Sequence, residues 1–121
     1  MDIELLRMAF ERDDPFTMEA GECYFNTETC KVVWTVPGVS YVAPVGDEWV
    51  IVPATPHGEW HDVFEDWLKE IGKHGYYTTS IGLTLEKLDE LDENLRYGWY
   101  NRKYEYSEMK AEQWINKYQK Q

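Results

Sequence analysis

The chain of 121 residues carries 23 acidic and 12 basic side chains, which gives a formal net charge of −11, and 16% of its residues are aromatic. Disordered acidic segments are poor in aromatic residues, so this composition indicates a folded domain with a negative surface. Direct binding to nucleic acid is disfavoured, because contact with phosphates needs clustered positive charge. The length suits one domain, and residues 1–121 are predicted to form a single acidic domain.

The sequence contains no apolar run long enough to span a membrane. Its start, Met1-Asp2-Ile3-Glu4, lacks the basic residues and the apolar stretch of a signal peptide. Cys23 and Cys30 are the only cysteines. We therefore expect a cytoplasmic protein without membrane attachment, in which both cysteines are thiols.

The first predicted element is a helix over residues 2–11, where apolar side chains recur at helical spacing. Three segments rich in aromatic and β-branched residues are predicted strands: residues 22–27, 31–36 and 48–52. The first two strands form a hairpin, and the third is expected to pair antiparallel to the second. The connector over residues 37–47 could add a fourth short strand at residues 41–43.

The hairpin turn over residues 27–30 has the form of a type I turn followed by a left-handed bulge position. Glycine normally occupies that position because it has no β-carbon, and here it falls on Cys30. In the predicted register Phe25 lies opposite Val33. Cys23 is then several residues from Cys30 along the ladder, which argues against a disulfide between them.

The clearest predicted element is an amphipathic helix over residues 59–71, which Gly72 ends. Its apolar face is expected to belong to the core and consists of Trp60, Val63, Phe64, Trp67, Leu68 and Ile71. Its acidic back consists of Glu59, Asp62, Glu65, Asp66 and Glu70.

Thr84 is predicted to cap the next helix, with Leu83 and Leu88 placed as a hydrophobic staple around it. Residues 95–119 are predicted to form one long helix or two joined helices. Tyr100 and Tyr104 belong to one of two apolar stripes along this segment. The predicted fold is therefore α+β, with a small antiparallel sheet of three to four strands packed against the amphipathic helix and the C-terminal helices.

The chain resembles a bacterial family with no assigned activity, Uncharacterised Protein Family 0158. The segments that carry the resemblance are Tyr24-Phe25-Asn26-Thr27-Glu28-Thr29, Trp49-Val50-Ile51-Val52-Pro53, the helix from Trp60 to Ile71, Leu95-Arg96-Tyr97-Gly98-Trp99-Tyr100 and Ala111-Glu112-Gln113-Trp114-Ile115. The chain departs from the family at Cys30, where a glycine is expected, and over residues 37–47, which lack a long acidic run. The resemblance implies an α+β fold and a bacterial or phage setting, and it carries over no catalytic residue.

His57 and His61 are four residues apart, a spacing that can bind a metal if the helix already includes Pro56. A third ligand from Asp62 or His74 is not demanded by the sequence, so we expect ordinary surface histidines, no metal and no other cofactor. The helix carboxylates lie on predicted solvent faces, whereas catalytic pairs need burial to separate their pKa values. No catalytic residue and no enzymatic activity are therefore predicted.

Up to Asn94 the chain has 20 acidic and six basic residues, and from Leu95 onward it has three acidic and six basic residues. The basic segment can pair with the acidic body inside one molecule or between two molecules. Simple solubility explains such an acidic charge in many proteins, and it stays as an alternative to a functional surface.

Acidic helix faces with tyrosines nearby suit a partner rich in Arg and Lys, because carboxylates bind Arg through two hydrogen bonds and Tyr anchors interfaces. The predicted partner-binding residues are Asp62, Glu65, Asp66, Tyr76, Tyr77, Asp89, Glu90, Asp92 and Glu93. Spaced carboxylates can also imitate a phosphate backbone, as they do in small acidic phage inhibitors of defence nucleases and in acidic immunity proteins. This comparison is one of charge and size, not of motif.

The sequence therefore predicts a non-enzymatic, acidic protein-interaction module that antagonises a basic partner, such as a nuclease or another nucleic-acid-binding protein. One alternative is a housekeeping domain that self-associates as a homodimer and has no such partner. The other alternative is a weak metal- or carboxylate-dependent hydrolase. Salt-sensitive capture of one basic protein would favour the interaction module. Concentration-dependent dimerisation without such a partner would favour the self-associating domain, and stoichiometric zinc after purification would favour the hydrolase.

Overall fold

The computed structural model describes residues 3–12, 22–35 and 43–119. Its helices are α1 (Ile3–Glu11), α2 (His57–Glu70), α3 (Ile81–Leu91) and α4 (Leu95–Gln119). Its strands are β1 (Glu22–Asn26), β2 (Val32–Thr35) and β3 (Trp49–Ile51), and they form one antiparallel sheet. The predicted α+β class is therefore confirmed. Of the possible fourth strand, residues 41 and 42 lie outside the described residues, and Ala43 belongs to no strand.

The chain divides into two compact units. The sheet unit comprises Met1–Thr55 with Tyr106–Gln121, and the helical unit comprises Pro56–Glu105. Helix α4 is one continuous helix and contributes residues to both units, which decides between the one-helix and two-helix predictions. That residues 1–121 form a single domain stays a prediction.

The sheet has the strand order β2-β1-β3, so β3 pairs with β1. The predicted pairing of the third strand with the second is wrong. Sequential strands usually pair when the connection between them is short, but the connector before β3 is long enough to bring the chain to either edge of the hairpin. The central strand is the one whose Cys23 and Phe25 side chains are fully buried.

The hairpin register differs by one residue from the prediction, because Phe25 lies opposite Val32 and not opposite Val33. Asn26 explains the shift. Its backbone N–H donates to the carbonyl of Lys31 at 2.8 Å, and its carbonyl accepts from the N–H of Cys30 at 2.8 Å. Its side-chain Oδ1 also accepts the backbone N–H groups of Glu28 and Thr29, each at 2.9 Å. Asn26 and Lys31 therefore face each other and close a four-residue loop.

Cys30 has a φ of 61°, which confirms the predicted left-handed position at the end of this turn. Its side chain is half-buried and packs against the core of the sheet unit. Cys23 lies opposite Trp34 in the ladder, and both cysteines are free thiols.

Helix α1 and the C-terminal part of α4 supply the other side of the core in the sheet unit. The buried residues of this core are Leu6, Ala9, Phe10, Cys23, Phe25, Val32, Val52, Ala111 and Ile115. The indole ring of Trp114 meets both Phe10 and Phe25 edge-to-face, with ring centroids 5.7 and 5.9 Å apart. Such aromatic contacts stabilise beyond the area they bury, so Trp114 joins α1, β1 and α4.

Helix α2 spans His57–Glu70 and not the predicted residues 59–71, but Gly72 ends it as the sequence indicated. Gly72 has a φ of 71°, its N–H donates to the Lys69 carbonyl, and the N–H of Lys73 donates to the Leu68 carbonyl at 2.8 Å. This pair of bonds is a Schellman motif, which needs a left-handed residue at the position of Gly72.

Helix α3 begins earlier than predicted, because its N-cap is Ser80 and not Thr84. The Ser80 Oγ accepts the backbone N–H of Leu83 at 3.3 Å. Thr84 is buried inside the first turn, where its hydroxyl donates to the Ser80 carbonyl and accepts the N–H of Thr78. Leu83 is exposed, so the predicted hydrophobic staple with Leu88 is absent.

We predict that Cys30→Gly raises the free energy of unfolding by about 0.5–1 kcal/mol, because glycine adopts the left-handed conformation without steric cost. Because the variant also loses the packing of the thiol against the core, we expect a gain in the free energy of unfolding near the lower end of this range. Cys30→Val is expected to lower the free energy of unfolding by about 1 kcal/mol, because branching at Cβ worsens the strain. Urea denaturation of both variants measures the difference. A valine variant as stable as the glycine variant would contradict this account.

Gly58 inside α2 and Gly72 just after its end provide a matched pair. A β-carbon added at Gly58 or at Gly72 would meet no atom within 4 Å, but only Gly72 has positive φ. We predict that Gly72→Ala lowers the free energy of unfolding by about 1 kcal/mol. Gly58→Ala is expected to raise it by about 0.5–1 kcal/mol, because alanine favours the helix. Thermal and urea denaturation should show changes of opposite sign in the free energy of unfolding of the two variants. Changes of equal sign would refute the assignment of a left-handed helix end to Gly72.

Candidate partner-binding surface

The aromatic face of α2 forms the core of the helical unit. Trp60, Phe64 and Trp67 surround the buried indole of Trp99 on α4, with ring centroids 6.3, 4.8 and 5.8 Å from it. A β-carbon at Gly98 would lie 3.3 Å from the Trp67 ring, so the missing side chain allows α4 to approach closely. The prediction that this face of α2 belongs to the core is confirmed.

Packing of that face directs the acidic back of α2 toward solvent. Asp62 and Asp66 are exposed, and because they are four residues apart they lie along one side of the helix. Glu65 is half-buried. Glu70 continues the row but is bound by Arg102 through two hydrogen bonds of 2.8 and 3.0 Å. The negative row therefore ends in a neutralised pair.

The acidic residues of α3 and of the turn after it differ in their surroundings. Asp89 is bound by Arg96, whose Nη2 and Nε lie 2.6 and 3.0 Å from Oδ2, and this hydrogen bonding raises the pKa of Arg96. Glu90, Asp92 and Glu93 are exposed. The predicted pairing of the basic segment with the acidic body thus occurs inside the helical unit, through Arg96 and Arg102.

Of the seven predicted site carboxylates, five make neither an ion pair nor a side-chain hydrogen bond within the described residues: Asp62, Glu65, Asp66, Glu90 and Glu93. Asp92 is the C-cap of α3, and its Oδ1 accepts the backbone N–H of Asn94 at 2.9 Å. Only Asp89 and Asp92 are therefore engaged in the fold.

The two predicted tyrosine anchors differ as well. Tyr76 is exposed at the end of a 3₁₀ turn (His74–Tyr76). Tyr77 is half-buried, its ring lies against Phe64, and its hydroxyl lies 3.2 Å from Nδ1 of His61. Tyr77 is thus part of the fold, and Tyr76 is the one that presents its ring to solvent.

Helix α4 carries a row of exposed rings, of which none is among the predicted partner-binding residues. Tyr97, Tyr100 and Tyr104 are 65%, 47% and 41% exposed, and their spacing places them on one face of the helix. The sequence places Tyr100 and Tyr104 on one of two stripes along this segment, and the structure shows that their rings are exposed. In this segment Trp99 is the buried ring.

His61 and His74 lie against Tyr77, and His57 lies against His61. Nε2 of His57 and Nε2 of His61 are 2.9 Å apart, and the ring of His74 stacks on Tyr77 with centroids 5.9 Å apart. In the described part of the chain, no group of three or more His, Cys, Asp or Glu side chains is placed to hold a metal ion.

The cysteines offer little support for nucleophilic chemistry. Burial raises the pKa of Cys23 to about 12, although the charge of Arg12 opposes the shift. The thiolate is the reactive form, so Cys23 stays protonated and inert near neutral pH. The absence of enzymatic activity stays a prediction.

Comparison with protein-family models, with curated proteins and with solved structures found no match to this chain. The resemblance to Uncharacterised Protein Family 0158 therefore stays a prediction. Among the described helices, none has both the length and the apolar character needed to cross a membrane.

We predict that Trp67→Ala lowers the free energy of unfolding by about 3–5 kcal/mol, because it removes a ring buried between Phe64, Gly98 and Trp99. That loss is a large part of the stability of a small protein. Tyr97→Ala is the control, and an exposed ring should change stability by about 0.5 kcal/mol or less. Melting within a few degrees of the parent would show that Trp67 is not a core residue.

Proposed function

We propose that this chain is a non-enzymatic, acidic protein-interaction module that binds and antagonises a basic, nucleic-acid-handling partner. The observation that supports the proposal is the set of exposed carboxylates on the helical unit, Asp62, Asp66, Glu90 and Glu93, which make no ion pair within the described residues. The unit as a whole carries eleven acidic and six basic residues.

Electrostatics explains why such a surface favours a basic partner. Neighbouring carboxylates repel one another, and like charges four residues apart on a helix, as at Asp62 and Asp66, slightly destabilise it. A partner with Arg and Lys side chains relieves the repulsion through charge-assisted hydrogen bonds and increases the association rate. A protein groove that binds phosphates offers such side chains, and this is the basis for proposing a nucleic-acid-handling partner.

Exposed tyrosines supply the other component of an interface. Tyr76 and the row of Tyr97, Tyr100 and Tyr104 belong to the same unit as the exposed carboxylates. Interfaces gain most of their binding energy from a few aromatic and Arg side chains, while charged residues around them set the rate and the specificity. We assign the tyrosines to the first role and the carboxylates to the second.

The tyrosine row also favours the alternative function, self-association without a basic partner. Three exposed rings on one helix face provide apolar area that a second copy could cover. Sedimentation equilibrium over a range of concentrations separates the two functions. A dimer that Tyr97→Ser abolishes, with no partner captured at low salt, would favour self-association.

The test of the proposed function compares two triple variants. The first is Asp62→Lys, Asp66→Lys and Glu90→Lys, and the matched control is Glu28→Lys, Glu108→Lys and Glu112→Lys. All six residues are exposed, the control residues lie in the sheet unit, and both variants change the net charge equally.

The partner is first identified by capture from a bacterial lysate at low salt and mass spectrometry. We predict that the first triple variant then lowers the association rate at least tenfold at low salt, and that added salt reduces the difference. The control should lower the rate much less, and circular dichroism should show both variants folded. Equal losses in the two variants would mean that only net charge matters and would refute the assigned surface.

A further inference from the structure

The first turn of α2 brings two imidazole rings together. Pro56 is the N-cap and α2 begins at His57, so His57 and His61 are separated by one turn on the same side of the helix. Their Nε2 atoms are 2.9 Å apart. His57 is exposed and His61 is half-buried.

The separation of the two nitrogens is that of a hydrogen bond between the rings, and it is also compatible with metal coordination. With metal–nitrogen bonds of about 2.0 Å, two neighbouring ligands at a right angle are about 2.8 Å apart, and two ligands of a tetrahedron are about 3.3 Å apart. The observed 2.9 Å is closer to the right angle, which occurs in square-planar and octahedral coordination. The ring centroids are 4.5 Å apart and the ring planes are inclined by 79°, so the rings do not face each other head-on across that gap.

We propose that His57 and His61 form a two-ligand site for a transition-metal ion with square-planar preference, Cu²⁺ before Ni²⁺, through their Nε2 atoms. Imidazole nitrogen suits these ions, and tetragonal nitrogen and oxygen coordination is typical of Cu²⁺. Water completes the coordination. This site is distinct from the proposed partner-binding surface and does not depend on it.

Tyr77 supports the assignment from the other side of the His61 ring. A ligating imidazole uses one nitrogen for the metal and usually donates its other N–H to an oxygen, which fixes the orientation of the ring. The Tyr77 hydroxyl lies 3.2 Å from Nδ1 of His61, in the place of such an oxygen. Binding of a metal by both Nε2 atoms requires each neutral ring to carry its proton on Nδ1, so the ring that donates through Nε2–H moves that proton through water to its own Nδ1.

The test titrates the full chain with Cu²⁺, Ni²⁺, Zn²⁺ and Mg²⁺ in a non-coordinating buffer at neutral pH. Isothermal calorimetry gives the affinity, and electron paramagnetic resonance gives the ligands of Cu²⁺. We expect one Cu²⁺ with a tetragonal two-nitrogen spectrum, weaker binding of Ni²⁺ and then Zn²⁺, and none of Mg²⁺. Acidification should release the metal, since protonated imidazole is not a ligand.

Variants of the histidines decide the assignment. His57→Gln and His61→Gln should each weaken Cu²⁺ binding at least tenfold, Tyr77→Phe should weaken it less, and His74→Gln should leave it unchanged. All these proteins keep both cysteines, so any binding by thiols cancels in the comparison. Unchanged affinity in the double variant His57→Gln/His61→Gln would overturn the proposal. A loss in His74→Gln as large as in His61→Gln would also overturn it, because the α2 pair would then not be the site.

Discussion

The burial of Trp99 against α2 is the interaction on which the helical unit depends. Three aromatic side chains of α2 surround that indole, and a helix that buries one face must expose the opposite one. The rotation of α2 about its axis is therefore set by packing. The positions of Asp62, Asp66 and His57 at the surface follow from that rotation, so the features that suggest function are consequences of the core.

The strongest sequence predictions were those in which one residue or one periodic pattern sufficed. The period of α2 follows from side-chain spacing on a helix, and its end follows from the missing β-carbon of Gly72. The left-handed Cys30 follows from the geometry of the hairpin turn, which requires that conformation whatever residue occupies the position. These features are the same in any tertiary context that lets the segment form. For that reason they could be predicted without knowledge of the rest of the chain.

The predictions that failed required a choice between near-equal alternatives. Ser80 and Thr84 both have a hydroxyl that could cap a helix. Only the structure shows that the Thr84 hydroxyl instead hydrogen-bonds to Thr78 and to the Ser80 carbonyl, in the segment before it. The register of the hairpin depends on the side chain of Asn26, which accepts hydrogen bonds from two backbone N–H groups of the loop. The partner of β3 depends on long-range packing, which the periodicity of a sequence does not contain.

The ion pairs of α4 determine how much of the acidic charge of the helical unit is uncompensated and where it lies. Arg96 and Arg102 neutralise Asp89 and Glu70, so part of the acidity that looks available in the sequence is already engaged in the fold. Both pairs are partly exposed, and exposed pairs contribute little to stability. Their effect is on the distribution of potential: two positive groups shift the uncompensated negative charge toward Asp62, Asp66 and the exposed residues after α3. A basic partner steered by that potential would approach those carboxylates first, because field strength follows net local charge and falls off within about 10 Å at moderate salt.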